Sequence, residues 1–321
     1  MKNARYDVAA LGELLIDFTQ HGSSEQGNPL FEANPGGAPA NVLAMLTKLG
    51  RRCAFLGKVG QDAFGDRLAQ TLRSCGVDDR GLRRDGLIPT TLAVVHTLPG
   101  GDRDFSFYRK PGADLLLRED ELDLPLLRDC RVFHFGTLSL TDEPCRSATR
   151  RAIREAREAG ALISFDPNLR MPLWNSAEEA REAIAWGLSQ CEVLKISDNE
   201  LAFMTGEEDL EKAAALLRGQ YPQLRLCCVT AGAAGSTAYC GALRAFEPAC
   251  GRGGIVDTTG AGDTFCACML DFVLANGLEN TDEAALHRML RFANHAAYLV
   301  ATKKGAIRSM PEREQVEALL R

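Results

Sequence analysis

Short apolar runs that alternate with amphipathic helical patterns are the feature of this sequence that most restricts its fold. Five runs have the length and composition of buried strands: Val8–Leu11, Val132–Phe135, Leu162–Phe165, Val193–Ile196 and Leu226–Thr230. Between the second and third runs, Ala148, Ala152 and Ala156 share one helical face, and Gly160 ends the pattern. This order predicts an α/β fold with three layers, in which helices cover both faces of a mostly parallel sheet.

Two segments, at about residues 13–34 and 88–112, depart from this alternation. They have the composition of strands and turns without a helix between them. Leu92–Leu98 and Phe105–Arg109 flank Pro99-Gly-Gly-Asp102, which is typical of a hairpin. We predict that these segments form a small β-sheet lid. No linker rich in Pro, Gly or Ser interrupts the chain, so we expect one domain over residues 1–321.

Charge and composition exclude several classes of function. The net charge of −6 gives no support to a nucleic-acid or anionic-membrane partner. The N-terminus lacks the apolar core of a signal peptide, and no run reaches the roughly 18 apolar residues that suggest a membrane span. Eleven scattered cysteines without a C-x-x-C pair indicate reduced, mostly buried thiols. We therefore expect a cytoplasmic protein.

The stretch Asp257-Thr-Thr-Gly-Ala-Gly-Asp263 carries the strongest chemical signal. Two glycines and a carboxylate precede an apolar run, which places them at the start of a buried helix. The unpaired N–H groups of a helix start attract phosphate, and a nearby carboxylate can accept the proton of an alcohol. The pattern indicates phosphoryl transfer, whereas the P-loop, dinucleotide-binding and H-E-x-x-H motifs are absent.

A second glycine-rich cluster, Pro35-Gly-Gly-Ala-Pro-Ala-Asn41, also precedes a helical pattern. Paired glycines let the backbone approach a ligand, and the Asn41 amide can both donate to and accept from a polyol. The same residues are also compatible with a plain loop that leads into a helix. A third stretch, Gly57–Gly65, has the pattern of a turn followed by another helix and is best explained structurally.

Together these motifs resemble those of the pfkB/ribokinase family of carbohydrate kinases. The first motif is represented by Gly36, Gly37, Asn41, Gly50 and Gly60, and the second by Asp257–Asp263, about 220 residues later. The sequence departs from the family pattern at Leu43 and Cys268, where small residues are usual. These departures concern helix packing, because neither position is catalytic.

Further segments resemble the fructokinases of that family and extend the resemblance over nearly the whole chain. They are Phe107–Leu116, Phe133–Gly136, Ser139–Ser147, Asp166–Trp174 and Lys195–Glu200 with Thr205-Gly206. In the last of these segments, Ser197 stands where the family often has asparagine. The resemblance implies a ribokinase-like fold, ATP and Mg²⁺ as cofactors, and a K⁺ site.

The resemblance also implies roles for individual residues. Asp263 is expected to be the general base, worth about 10²- to 10⁴-fold in rate, and Gly260, Ala261 and Gly262 to bind the transferred phosphoryl group. The expected sugar-binding residues are Asp17, Gly36, Gly37, Asn41, Arg109, Asn168 and Arg170. The expected ATP-binding residues are Thr230, Gly232, Gly235 and Asn294. Glu200 is expected to act on Mg²⁺ through water. The monovalent cation is expected to bind largely to backbone carbonyls near Asp257, Thr259, Val300, Lys303, Gly305 and Ser309.

The function implied is that of an ATP-dependent fructokinase that phosphorylates the 6-hydroxyl of D-fructose, with the lid pairing two copies as a homodimer. One alternative keeps the chemistry and changes the acceptor to 2-keto-3-deoxygluconate, ribose or a riboside. Another is a catalytically silent sugar-binding regulator, which would require damage to the base or the anion hole. Asp263 and Gly260–Gly262 are intact, which argues against that alternative.

Overall fold

The computed structural model describes residues 3–97, 103–251 and 253–320, and for residues 96–97 and 103–105 it describes the backbone alone. Within these ranges nine strands form one large sheet. Their order across the sheet is β13 (Leu243–Glu247), β12 (Ser236–Cys240), β11 (Leu226–Thr230), β10 (Val193–Ser197), β9 (Leu162–Asp166), β8 (Cys130–Gly136), β1 (Tyr6–Leu11), β4 (Cys53–Gly60) and β5 (Asp78–Asp85). Strands β11 through β5 in this order run parallel, and β12 and β13 continue the sheet antiparallel.

Helices cover both faces of this sheet. Successive strand residues point to opposite sides, and the residues on each side are apolar. Val8 and Ala10 face one hydrophobic core, whereas Ala9 and Leu11 face the other. The helices are α1 (Ala38–Lys48), α2 (Ala63–Ser74), α3 (Leu124–Arg128), α4 (Cys145–Glu158), α5 (Ala177–Gln190), α6 (Asp198–Thr205), α7 (Leu210–Gln220), α8 (Ala261–Asn276), α9 (Glu283–Ala301) and α10 (Arg313–Leu320). The predicted three-layer α/β/α class is confirmed.

Helix α8 is apolar around nearly its whole circumference, and it packs against α1 and α9. A helix of this composition must be covered on all sides, which fixes its first turn relative to α1. Leu43 and Cys268 are both fully buried in this packing. All eleven cysteines are free and nine of them are buried, as the cysteine pattern predicts.

A second, smaller sheet consists of β3 (Pro29–Gly36), β2 (Leu15–Ser23), β6 (Leu92–Thr97) and β7 (Arg103–Tyr108), in that order. Strand β2 pairs antiparallel with β3 and parallel with β6, which pairs antiparallel with β7. The small sheet therefore comes from the two segments that the sequence predicts. The predicted hairpin turn at Pro99–Asp102, with Leu98, lies outside the described residues.

The five predicted strands of the large sheet are all present, but β4, β5, β12 and β13 were not predicted. Within the stretch Gly57–Gly65, predicted as a turn followed by a helix, the first four residues complete strand β4. The turn follows at residues 61–62. The Asp62 side chain accepts a hydrogen bond from the Gly65 N–H group at 2.8 Å and so caps helix α2.

Candidate active site

A cavity of about 200 Å³ lies at the carboxyl edge of the parallel strands. Its walls come from the segments that follow β1, β8 and β9, from the first turns of α1 and α8, and from β2 and β7 of the small sheet. Open α/β sheets bind ligands at this edge. Nine predicted site residues line the cavity: Asp17, Gly37, Asn41, Asn168, Arg170, Thr259, Gly260, Gly262 and Asp263.

The buried carboxylate of Asp263 occupies the first turn of α8 and faces this cavity. Asn41, from α1, donates a hydrogen bond from Nδ2 to Asp263 Oδ2 at 2.7 Å. Burial raises the pKa of Asp263, whereas the Asn41 hydrogen bond and the charges of Lys195 and Arg170 oppose the rise. A carboxylate that is only partly stabilised in this way is suited to accept a proton.

The start of α8 provides donors for an anion. Gly260 has a φ of 81°, a conformation that favours glycine, and it precedes the first helical residue. The Ala261 N–H group already donates to the Thr258 carbonyl at 3.2 Å. The first N–H groups of a helix have no intrahelical acceptor, so those of Gly262 and Asp263 can bind an anionic ligand.

The Gly36-Gly37 pair is required by the close approach of two acidic residues. A Cβ atom on Gly36 would lie 2.4 Å from Asp17 Oδ2, and one on Gly37 would lie 2.3 Å from the Glu13 carbonyl oxygen. Gly37 also has a φ of 121°. A side chain at either position would displace the backbone that places Asp17 and Glu13 in the cavity wall.

Asp17 and Glu13 are carboxyl groups with raised pKa values. Burial raises the pKa of Asp17 to about 7; Arg170 opposes the rise, and the Asp263 charge adds to it. Burial likewise raises the pKa of Glu13 to about 7, although Glu13 Oε1 accepts a hydrogen bond from the Ala38 N–H group at 2.7 Å. Glu13 was missed by sequence reasoning. Its signal was an acidic residue two positions after β1, beside the apolar Leu14 and Leu15.

Arg170 and Asn168 line the cavity, but Arg109 does not. The Arg109 guanidinium is buried, donating from Nε to Asp114 Oδ2 at 2.8 Å and from Nη2 to the Leu138 carbonyl at 2.7 Å. It also donates to Thr141 Oγ1 at 3.0 Å. Arg109 therefore anchors the end of β7 in this structure, and its contact with a sugar stays a prediction.

The predicted nucleotide-binding residues lie around the end of β11. Thr230 is its last residue, and Gly232 and Gly235 belong to the turn that follows. Asn294, from α9, accepts a hydrogen bond from Ser236 Oγ at 2.8 Å and donates to the carbonyls of Glu247 and Pro248 at 3.1 Å each. Its amide thus joins α9 to β12 and β13, and its role near adenine stays a prediction.

Glu200 lies at the start of α6 with both carboxylate oxygens hydrogen-bonded. Oε1 accepts from the Leu169 N–H group at 2.7 Å, and Oε2 accepts from the N–H and hydroxyl groups of Ser197 at 2.8 Å. Oε1 keeps a further lone pair, whereas Oε2 already accepts two hydrogen bonds, and this arrangement fits contact with Mg²⁺ through water better than direct ligation. The described residues contain no group of three or more His, Cys, Asp or Glu side chains suited to hold a metal.

The positions predicted for a monovalent cation come together through the Asp257 carboxylate. Its Oδ1 accepts from the Thr259 N–H group at 2.8 Å, and its Oδ2 accepts from the Gly305 N–H group at 3.1 Å. Ser309 donates to the Lys304 carbonyl at 2.6 Å, and the Val300 carbonyl accepts from the Lys303 N–H group. The segments before α8 and after α9 are thereby joined. Their carbonyl and hydroxyl oxygens suit K⁺, and the cation site stays a prediction.

One ion pair next to the cavity was also missed. Lys195 Nζ in β10 lies 3.1 Å from Asp166 Oδ2 at the end of β9. Both residues begin segments that resemble the fructokinases, and Lys195 is also a charged residue in the centre of the apolar strand Val193–Ser197, but neither signal indicated the pairing.

Comparisons with known proteins agree with this geometry. The family model described as pfkB family carbohydrate kinase matches residues 6–313. Probable fructokinase-3 of Arabidopsis thaliana is 45% identical, over 97% of this chain and 90% of its own length. A fructokinase double mutant from Vibrio cholerae O395, with fructose, ADP and potassium ion bound, has a TM-score of 0.87 at 30% identity, and each chain is covered fully. Fructokinase with bound ATP from Xylella fastidiosa has a TM-score of 0.86 at 31% identity, with 98% of each chain covered.

None of the helices in the described part of the chain has the length and apolar character needed to cross a membrane. The family model spans almost the entire chain, and residues of both glycine-rich motifs line one cavity. The chain therefore belongs to the pfkB family of carbohydrate kinases.

Proposed function

We propose that this protein is an ATP-dependent fructokinase that transfers the γ-phosphate of ATP to the 6-hydroxyl of D-fructose, giving fructose 6-phosphate and ADP. The observation that carries the proposal is the Asn41–Asp263 hydrogen bond of 2.7 Å, which directs a buried carboxylate into a cavity beside a helix N-terminus. The fructokinases among the relatives support fructose as the acceptor.

In the proposed reaction, Asp263 accepts the proton of the attacking hydroxyl while the start of α8 binds the transferred phosphoryl group. Asp17 accepts hydrogen bonds from sugar hydroxyls. Arg170, at the cavity wall, offsets negative charge that gathers there. Mg²⁺ on the ATP phosphates, reached from Glu200 through water, would supply further charge neutralisation. K⁺ at the Asp257 segment would support the helix start.

We propose that residues 1–321 act as one domain in which the small sheet is a lid, since its Leu15, Asp17 and Phe107 line the cavity. Closure of a lid excludes water, which competes with the sugar as acceptor. Leu30, Phe31 and Tyr108 are exposed on the edge strands of the small sheet, which suits a homodimer formed through it. Sedimentation velocity of the wild type and of a Leu30→Lys/Phe31→Lys variant tests the dimer. We further propose a cytoplasmic location.

A panel of sugars in a coupled ADP-release assay tests the acceptor. Fructose is expected to have the highest kcat/KM. If 2-keto-3-deoxygluconate, ribose or a riboside had an equal or higher kcat/KM, that sugar would replace fructose as the proposed acceptor. Absence of turnover with any sugar, together with sugar binding, would favour the silent regulator. Replacing K⁺ by Na⁺ in the same assay tests the cation.

A further inference from the structure

Lys195 is a buried lysine to which the proposed reaction assigns no role. It lies in strand β10 between apolar residues and has 6% of its surface exposed. Its ammonium group pairs with Asp166, at 3.2 Å from Oδ1 and 3.1 Å from Oδ2. Burying a charged amine costs free energy, so a buried Lys195 ammonium requires interactions that compensate for its lost hydration.

The Lys195 ammonium lies directly beside the start of α8. A Cβ atom on Gly262 would be 3.1 Å from Lys195 Nζ, so the two groups are in contact. The N-terminus of a helix carries partial positive charge and is unfavourable for a cation. A lysine and a helix N-terminus that converge on one point direct N–H donors to that point, and such donors match the charge of a phosphoryl group.

Three carboxylates keep Lys195 protonated in this environment. Burial alone would lower the pKa of the ammonium, but the charges of Asp166, Glu200 and Asp263 together raise it above its usual value. An ammonium group has three N–H donors. Among the described residues, Asp166 is the single hydrogen-bond partner of the Lys195 ammonium, so donors remain for an anion.

We propose that Lys195 is a further catalytic residue whose ammonium contacts the phosphoryl group during its transfer, and that Asp166 is the positioning residue that holds it there. The inference rests on the proposed phosphoryl transfer. The bond between the γ-phosphorus and the ADP oxygen breaks as the bond to the sugar oxygen forms, and the hydroxyl proton moves to Asp263. Lys195 keeps its proton and offsets the charge on the equatorial phosphoryl oxygens.

The first test compares Lys195→Met with Lys58→Met. Lys58 is a matched control because it has 3% of its surface exposed and pairs with Glu121 at 2.9 Å and Asp85 at 3.1 Å, away from the cavity. At saturating ATP and fructose, kcat of Lys195→Met is expected to fall about 10²- to 10³-fold, as for loss of one oxyanion donor. Lys58→Met should keep kcat within about threefold of the wild-type value while losing stability, because its ion pair is structural.

Wild-type turnover is measured first, so a failure of the proposed function is seen before any variant is made. A kcat of Lys195→Met within about threefold of wild type would overturn the inference. If Lys195→Met does not fold, the double variant Lys195→Met/Asp166→Leu removes both buried charges, which is often tolerated. That variant should remain slow, and recovery of wild-type kcat would show that the pair is only structural.

A binding measurement separates contact with phosphate from a general distortion. Binding of aluminium fluoride to the complex of enzyme, ADP, Mg²⁺ and fructose mimics the transferring group. Lys195→Met is expected to weaken this binding by about the factor lost in kcat and to leave ADP affinity nearly unchanged. Lys195→Arg should restore part of the loss because it returns the charge. Equal weakening of ADP and aluminium fluoride binding would contradict a contact specific to the transferred group.

Discussion

Replacing Asn41 by leucine tests how the base is tuned. Asn41 has 4% of its surface exposed, and its Nδ2 lies 2.7 Å from Asp263 Oδ2. Leucine has a similar size and removes the donor without adding a polar atom. A hydrogen bond to a charged group contributes about 1.5–3 kcal/mol, and one pKa unit corresponds to about 1.4 kcal/mol. We therefore expect the pKa of Asp263, already raised by burial, to rise further by about one to two units.

The sign of the effect on activity follows from the role of the base. Asp263 acts only when deprotonated, so a higher pKa moves the acidic limb of the kcat/KM profile to higher pH by the same one to two units, approximately. On the acidic side of both limbs, the variant should be about 10- to 100-fold slower than wild type. At pH values above both limbs, Asp263 is deprotonated in both proteins, so the difference in kcat/KM that comes from its pKa disappears.

The measurement is kcat/KM for fructose across the pH range in the coupled ADP assay. The control is Asn276→Ala, at the opposite end of helix α8 from Asp263, and it should keep the wild-type pH profile. An acidic limb that stays at the wild-type pH in Asn41→Leu would refute the reasoning. So would an equal loss at every pH, which would assign Asn41 to sugar binding alone.

Three further results are expected. Asp263→Asn should lower kcat by about 10²- to 10⁴-fold in the coupled assay, with ADP affinity by calorimetry unchanged. Arg109→Met leaves the Asp114 carboxylate buried without its partner and should lower the free energy of unfolding in urea by about 3–5 kcal/mol; Arg109→Met/Asp114→Leu should recover most of this. The carboxyls of Glu13 and Asp17 have pKa values of about 7, above those of the unfolded chain, so the ligand-free protein should lose unfolding free energy as pH rises from about 4 through 7. If the unfolding free energy of Asp17→Asn fell with pH as steeply as that of the wild type, Asp17 would not contribute to this loss.

Most strands of the large sheet that are buried on both faces could be predicted from the sequence, whereas the strands at its edges could not. Strands such as Val193–Ser197 and Leu226–Thr230 are covered on both faces, and their sequences are almost continuously apolar. Strand β5, Asp78–Asp85, lies at the sheet edge and contains six charged residues, so no local pattern distinguishes it from a loop. Strand β4 contains two glycines that resemble a turn, although Gly57 and Gly60 are both fully enclosed. Tertiary packing overrides local preference at such positions.

In the site, the sequence motifs identified residue types but not their partners. Asp263 and Asn41 were both predicted, yet nothing local indicates that one donates to the other. The family resemblance implied that Arg109 binds substrate, but its partner Asp114 comes from the next turn and pairs with the buried guanidinium. Lys195 escaped notice because its closeness to Gly262 exists only after strand β10 and helix α8 have met. Such pairings depend on tertiary contacts and not on spacing.

The hydrogen bond between Asn41 and Asp263 joins residues that are 222 positions apart. Closing so long a loop is entropically costly and depends on the strands and helices between them being in place. A partly folded chain therefore has no site at all, and sugar or nucleotide can bind only the native state. Ligands should then raise the midpoint of global unfolding in proportion to the logarithm of their concentration. For the same reason, recovery of turnover after dilution from denaturant should report the last step of folding.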